Sequence, residues 1–70
     1  MGRAQDRASR LTLPGQGIYV EFIVIGNTVK ATAIDPATGR EASIVGPATA
    51  PQSVLAEAAR RKLEYVLKKS

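Results

Sequence analysis

From Gly17 to Ile25 the chain reads GIYVEFIVI, and from Thr28 to Asp35 it reads TVKATAID; both runs are rich in β-branched and aromatic residues. Gly26-Asn27 between them is a two-residue hairpin signal, with Gly supplying the positive φ that a type II′ turn wants first. Pairing across that turn sets Val24 against Val29, Phe22 against Ala31, Val20 against Ala33 and Tyr19 against Ile34. The next connection, DPATGR, has Pro36 to open a turn and Gly39 to close it in the left-handed region. Placing Asp35 opposite Arg40 then puts Ala33 opposite Ala42 and Ala31 opposite Ile44. One face of this three-stranded antiparallel meander carries Ile18, Val20, Phe22, Val24, Val29, Ala31, Ala33, Ala42 and Ile44, and no charge. A slip of one residue would mix that set with Glu21 and Lys30, so turns and pattern agree on one register.

After GPATAP the period changes. Leu55, Ala59, Leu63, Val66 and Leu67 recur at three- and four-residue spacing, which predicts an amphipathic helix over 51–68. Pro51 suits the first helical position, where a missing N–H costs nothing. Thr49 and Gln52 have capping-box spacing, but a residue before proline resists the helical region, which leaves the identity of the cap open. Glu57 with Arg61 and Glu64 with Lys68 are i,i+4 pairs on the polar side. The small Ala31, Ala33 and Ala42 leave room for the helix to lie close on the sheet. The expected fold is α+β, strand-strand-strand-helix, as one domain over 17–70.

Residues 1–16 behave differently. MGRAQDRASRLTLPGQ holds Arg3, Arg7 and Arg10 against Asp6 with few large apolar side chains, the composition of a disordered basic tail. With 70 residues in all, the domain buries ~60% of its unfolded surface, so outside help is expected. Disulfides and common zinc sites are removed as helpers because the sequence has neither cysteine nor histidine. The six carboxylates lie singly, without calcium-loop or paired-acid spacing, and no metal or cofactor is expected. Self-association is the helper left. No apolar run approaches the ~20 residues needed to cross a bilayer. The start has arginines but no apolar core behind them, and Asp6 stands where a myristoylation signal wants Ser or Thr. A cytoplasmic protein without membrane attachment is expected.

The stretch YVEFIVIGNTVKATAIDPATGREASIVGPA, followed by RKLEYVL, resembles a family of short uncharacterised alphaproteobacterial proteins. They share YxEFxxIGNxVKxTAIDPxTGxExSIxGPA and a closing RKLEYVL. The match spans residues 19–67. It implies a small intracellular bacterial protein with no assigned activity, and it supplies no catalytic or binding residues.

Three classes of function remain to be weighed. Catalysis has little to work with: Thr32, Ser43, Ser53 and Tyr65 have no histidine to activate them. A Ser–Lys arrangement would need Lys30 or Lys62 desolvated, which so small a chain can hardly arrange. GPATAP lacks the glycine spacing and Gly-Lys pair of a phosphate loop. The expectation is no enzymatic activity.

Nucleic-acid binding draws on the net charge of +4. The middle, 17–50, sums to −1 and the segment 51–70 to +3, where Arg60, Arg61, Lys62, Lys68 and Lys69 are candidate phosphate contacts. The element order is similar to the second half of a double-stranded-RNA-binding domain. That family's first helix is missing, however, and APQSVLAE stands where it has a lysine cluster. Aromatic platforms are scarce as well. The plainer account is that basic residues near a helix C-terminus complement its dipole.

The third class is an interaction module. The second sheet face places Tyr19, Ile23, Ile25, Ile34 and Val45 among Glu21, Thr28, Lys30, Thr32, Glu41 and Ser43. One helix covers one face. Tyr19 beside Ile34, with Ile23 in the same row as Val45, would make an apolar patch of roughly a few hundred Å², the scale at which patches mark contacts. Burying each large side chain contributes about 1.5–3 kcal/mol. The expectation is a small non-enzymatic interaction or accessory protein that pairs with itself through this face or through an edge strand, or with another protein; the alternative is RNA or DNA binding through the basic helix end and the arginine tail.

Overall fold

The computed structural model describes residues 17–69 and, by backbone alone, residues 7–12. The elements are β1 (Arg7–Thr12), β2 (Tyr19–Ile25), β3 (Thr28–Asp35), β4 (Arg40–Pro47) and α1 (Gln52–Lys69). The four strands form one antiparallel sheet in the order β1-β2-β3-β4. Strands β2 to β4 followed by α1 are the expected meander and helix. The pairs Val24–Val29, Phe22–Ala31, Val20–Ala33, Tyr19–Ile34, Ala33–Ala42, Ala31–Ile44 and Asp35–Arg40 all stand opposed as the turns require.

Both turns use the chemistry their residues suggest. Gly26 has φ of 60° while no described non-glycine residue has a positive φ, which is the type II′ pattern rather than type I′. In the second turn Asp35 accepts hydrogen bonds at its carboxylate from the Ala37 N–H (3.1 Å) and the Thr38 hydroxyl (3.2 Å). Its carbonyl accepts the Gly39 N–H at 2.8 Å, with Gly39 at φ 77°.

One expectation needs correcting. The composition predicts a disordered basic tail over 1–16; residues 1–6 and 13–16 lie outside the described residues, but 7–12 form a strand paired with β2 from Arg7–Val24 to Thr12–Tyr19. The reason is tertiary: the outer edge of β2 offers a row of unpaired backbone groups, and a segment without a hydrophobic pattern of its own can still satisfy them.

The core lies between the sheet and α1. Val20, Phe22, Ala31 and Ala33 from the sheet meet Leu55, Ala56, Ala59 and Leu63 from the helix, all buried. Phe22, Leu63 and Val20 are the largest fully buried side chains. Val24, Ile44, Val66 and Leu67 close the margins. The helix packs chiefly on β4 and β3 and only lightly on β2. Small residues stand beneath it, and Gly46 is the limiting case: a Cβ there would lie 2.6 Å from Cδ2 of Leu55. The helix begins one residue later than the spacing predicts, with the Pro51 carbonyl accepting the Leu55 N–H at 3.3 Å and Gln52 the first helical residue. Among the described residues, no helix is long and apolar enough to cross a membrane.

Candidate interaction surface

Strand alternation puts the odd-numbered residues of β2 and β4 and the even-numbered residues of β3 on the face away from the helix. The register arranges them in rows. Tyr19, Ile34 and Glu41 stand side by side; Glu21, Thr32 and Ser43 form the next row; Ile23, Lys30 and Val45 the third; Ile25 and Thr28 the end. The five predicted contact residues therefore share one face, but not one continuous patch. The Glu21–Thr32–Ser43 row separates the Tyr19–Ile34 pair from Ile23, Ile25 and Val45, and Lys30 stands between Ile23 and Val45.

Exposure grades across this surface. Tyr19, Ile23 and Ile34 are half-buried, whereas Ile25 is 59% and Val45 66% exposed. The middle row is bound together: the Thr32 and Ser43 hydroxyls share a hydrogen bond of 2.7 Å, and Thr32 is buried. Among the described residues no buried polar side-chain atom lacks a partner. What the surface offers a partner is two apolar ends, a satisfied polar centre, and both signs of charge in Glu21, Glu41 and Lys30.

The candidate phosphate contacts do not converge. Arg60 is held between Glu57 and Glu64, with Nη1 2.6 Å from Glu64 Oε2 and its side chain 16% exposed. Arg61 Nε lies 3.6 Å from Glu57. The Arg60 hydrogen bond holds the Glu57 carboxyl below the usual carboxylate range, with burial opposing and the charges of Arg60 and Arg61 assisting. The same bond holds the Arg60 guanidinium above its ordinary value. Glu64, expected to pair with Lys68, is taken by Arg60 four residues before it. Lys62 donates from Nζ to the Ser43 carbonyl at 2.8 Å. Lys68 and Lys69 are exposed in the last helical turn, with Lys69 Nζ 5.5 Å from the centre of the Tyr65 ring.

The hydroxyl groups weighed for catalysis do not gather in one place. Thr32 and Ser43 bond each other, while Ser53 sits with Val54, Glu57, Ala58 and Arg61 around an open recess of about 370 Å³ on the helix. Among the described residues no three acidic side chains gather where a metal ion could be held.

Two features were not legible from sequence. Gly46 opens the GPATAP stretch that separates strand from helix in the sequence, yet it pairs with Val29 within β4 and admits the helix. Its even-numbered position in β4, matching Ala42 and Ile44, was the available signal. By sequence Lys62 is a candidate phosphate contact; its reach to an edge-strand carbonyl depends on where the helix lies.

Comparison with known proteins gives one match. Residues 15–70 fit a family model described as a domain of unknown function, DUF6898. No curated protein and no solved structure matches the chain.

Proposed function

Starting from a chain that belongs to the DUF6898 family, we propose that it is a small non-enzymatic interaction protein of the alphaproteobacterial cytoplasm that pairs with a second copy of itself through the second sheet face. The observation carrying this is the exposure of Ile25 (59%) and Val45 (66%) on the sheet face opposite α1. A two-layer domain with one helix leaves one sheet face to water, and a domain of this size gains most from covering it. A second copy suits the surface because a twofold contact joins a patch to itself. Here the patch carries acidic Glu21 and Glu41 together with basic Lys30, so it brings its own complementary charges.

RNA or DNA binding is the second reading, supported by the exposure of Arg61, Lys68 and Lys69 along the end of the helix. Sedimentation velocity on the full chain across a range of concentrations tests both. The dimer reading expects twice the chain mass at high concentration, reduced to one chain by Ile25→Lys with Val45→Lys. A wild-type chain that stays monomeric throughout overturns it. Co-sedimentation with a short RNA or DNA duplex at low salt, lost on adding salt, transfers support to the second reading.

A further inference from the structure

The two edges of the sheet are unlike. Two hydrogen bonds fix which backbone groups of β4 face outward: the Ala48 N–H donates to the Asn27 carbonyl at 2.7 Å, and Lys62 Nζ reaches the Ser43 carbonyl at 2.8 Å. Antiparallel pairing alternates, so Ala42, Ile44 and Gly46 bond to β3, while Glu41, Ser43, Val45 and Pro47 point away. Of these outward groups, the Ser43 carbonyl is occupied and Pro47 has no N–H to offer. A lysine and a proline on an edge are the means by which sheets refuse further strands.

Carrying the alternation across β3 aims the backbone groups of Val20, Phe22 and Val24 outward from β2, while their side chains sit on the core side. Leu11, Ser9 and Arg7 of β1 are the residues opposed to them. Among the described residues, β2 is the one strand hydrogen-bonded to β1. β1 also lies wholly outside residues 15–70, the extent of the family match. The shared unit thus ends at an unblunted β2 edge, and this chain closes that edge with six residues from outside the unit.

We propose that the outer edge of β2 is a strand-accepting site, filled by β1 of the same chain and, by exchange, by the same segment of a second copy. A second copy is the occupant because Arg7–Thr12 is the sequence that pairs here in register. The ladder made between chains repeats the one made within a chain, so protein concentration sets the balance. This inference does not rest on the face contact proposed above.

Two experiments on the full chain test it. The first adds a fluorescent peptide of residues 5–14 to wild type and to a Ser9→Pro, Leu11→Pro variant, which loses two N–H groups aimed at β2. Within wild type the tethered strand competes at an effective concentration of order millimolar. The peptide therefore binds the variant at least tenfold more tightly, and slows amide exchange at Val20, Phe22 and Val24. A variant with native helix content that takes up no peptide overturns the proposal. The second experiment decides even if that variant fails to fold. The natural sequence has no cysteine, so an Ala8→Cys chain and an Ile23→Cys chain, altered at directly opposed positions, are mixed under mild oxidation. A disulfide-linked heterodimer supports exchange, and its absence after prolonged mixing overturns it. Repeating this with Val45→Lys in both chains separates the two contacts: the face dimer is lost and the cross-link remains.

Discussion

The two faces of the sheet are made from the same strands, one residue out of step, and they have opposite fates. On the helix side Val20, Phe22, Ala31 and Ala33 are at most 1% exposed. On the other side Tyr19, Ile23 and Ile34 are half-buried, and Ile25 and Val45 stand largely in water. Hydrophobicity alone does not separate them, because Tyr, Ile and Val are at least as apolar as Ala. The small residues at the closest approach of the helix do. On this face β3 and β4 present the small Ala31, Ala33, Ala42 and Gly46 with Val29 and Ile44 beside them, and Val20 and Phe22 lie on β2, on which α1 packs only lightly. The helix lies on the face it can approach closely, and Ile25 and Val45 of the other face stay exposed.

The largest expected effect comes from emptying one side and comparing it with the other. Leu63→Ala removes a fully buried side chain from the centre of the helix stripe and costs about 2–5 kcal/mol. Val45→Ala removes a similar kind of group from the open face and changes the stability of the single chain by about 0.5 kcal/mol or less. Urea denaturation at low protein concentration measures both. Equal losses would mean that the second face is already part of a packed core.

A smaller effect tests whether approach distance selects the face. Gly46→Ala brings a methyl group against Cδ2 of Leu55 and costs about 1–3 kcal/mol, toward the lower end because that methyl ends a flexible side chain. Leu55 is itself buried, so it turns only at the expense of its neighbours. Combining Gly46→Ala with Leu55→Ala should cost less than the two separate losses together, since the second change removes the clash made by the first. Additive losses would show that helix approach is governed elsewhere.

Much of this architecture was legible because independent signals agreed. Gly26-Asn27 and Asp35–Arg40 each fixed a register, and both placed the charge-free residues on one face. The polar positions around the open patch followed from the same parity. β1 was not legible: RASRLT has no alternation and a single large apolar residue, Leu11, to mark a strand, and its pairing depends on an edge supplied by residues 19–24. The basic cluster misled for a related reason. A count of cations treats Arg60 and Lys62 as available, whereas the helix turns one onto Glu57 and Glu64 and the other onto the Ser43 carbonyl. Charge is additive along a sequence; availability depends on what stands three or four residues away, or across a layer.

The smallest effect sharpens the contrast between the sheet face away from α1 and the outer flank of the helix, where Arg60 and Arg61 meet Glu57 and Glu64. Arg60 holds the folded-state pKa of Glu57 below its ordinary value of 4.5. A carboxylate with a depressed folded pKa contributes its stability above the unfolded pKa and loses it as pH falls through the folded one. Stability should therefore decline on acidification below about pH 4.5, and Glu57→Gln should flatten that decline while leaving less stability at neutral pH. The effect is modest because the group is solvent-exposed and screened, and added salt should shrink it further. Urea midpoints between pH 2.5 and 7 measure it. An acid limb of unchanged slope in Glu57→Gln would assign the decline to other carboxylates. It would also reduce the Glu57–Arg60–Glu64 chain to a surface arrangement with no hold on the helix.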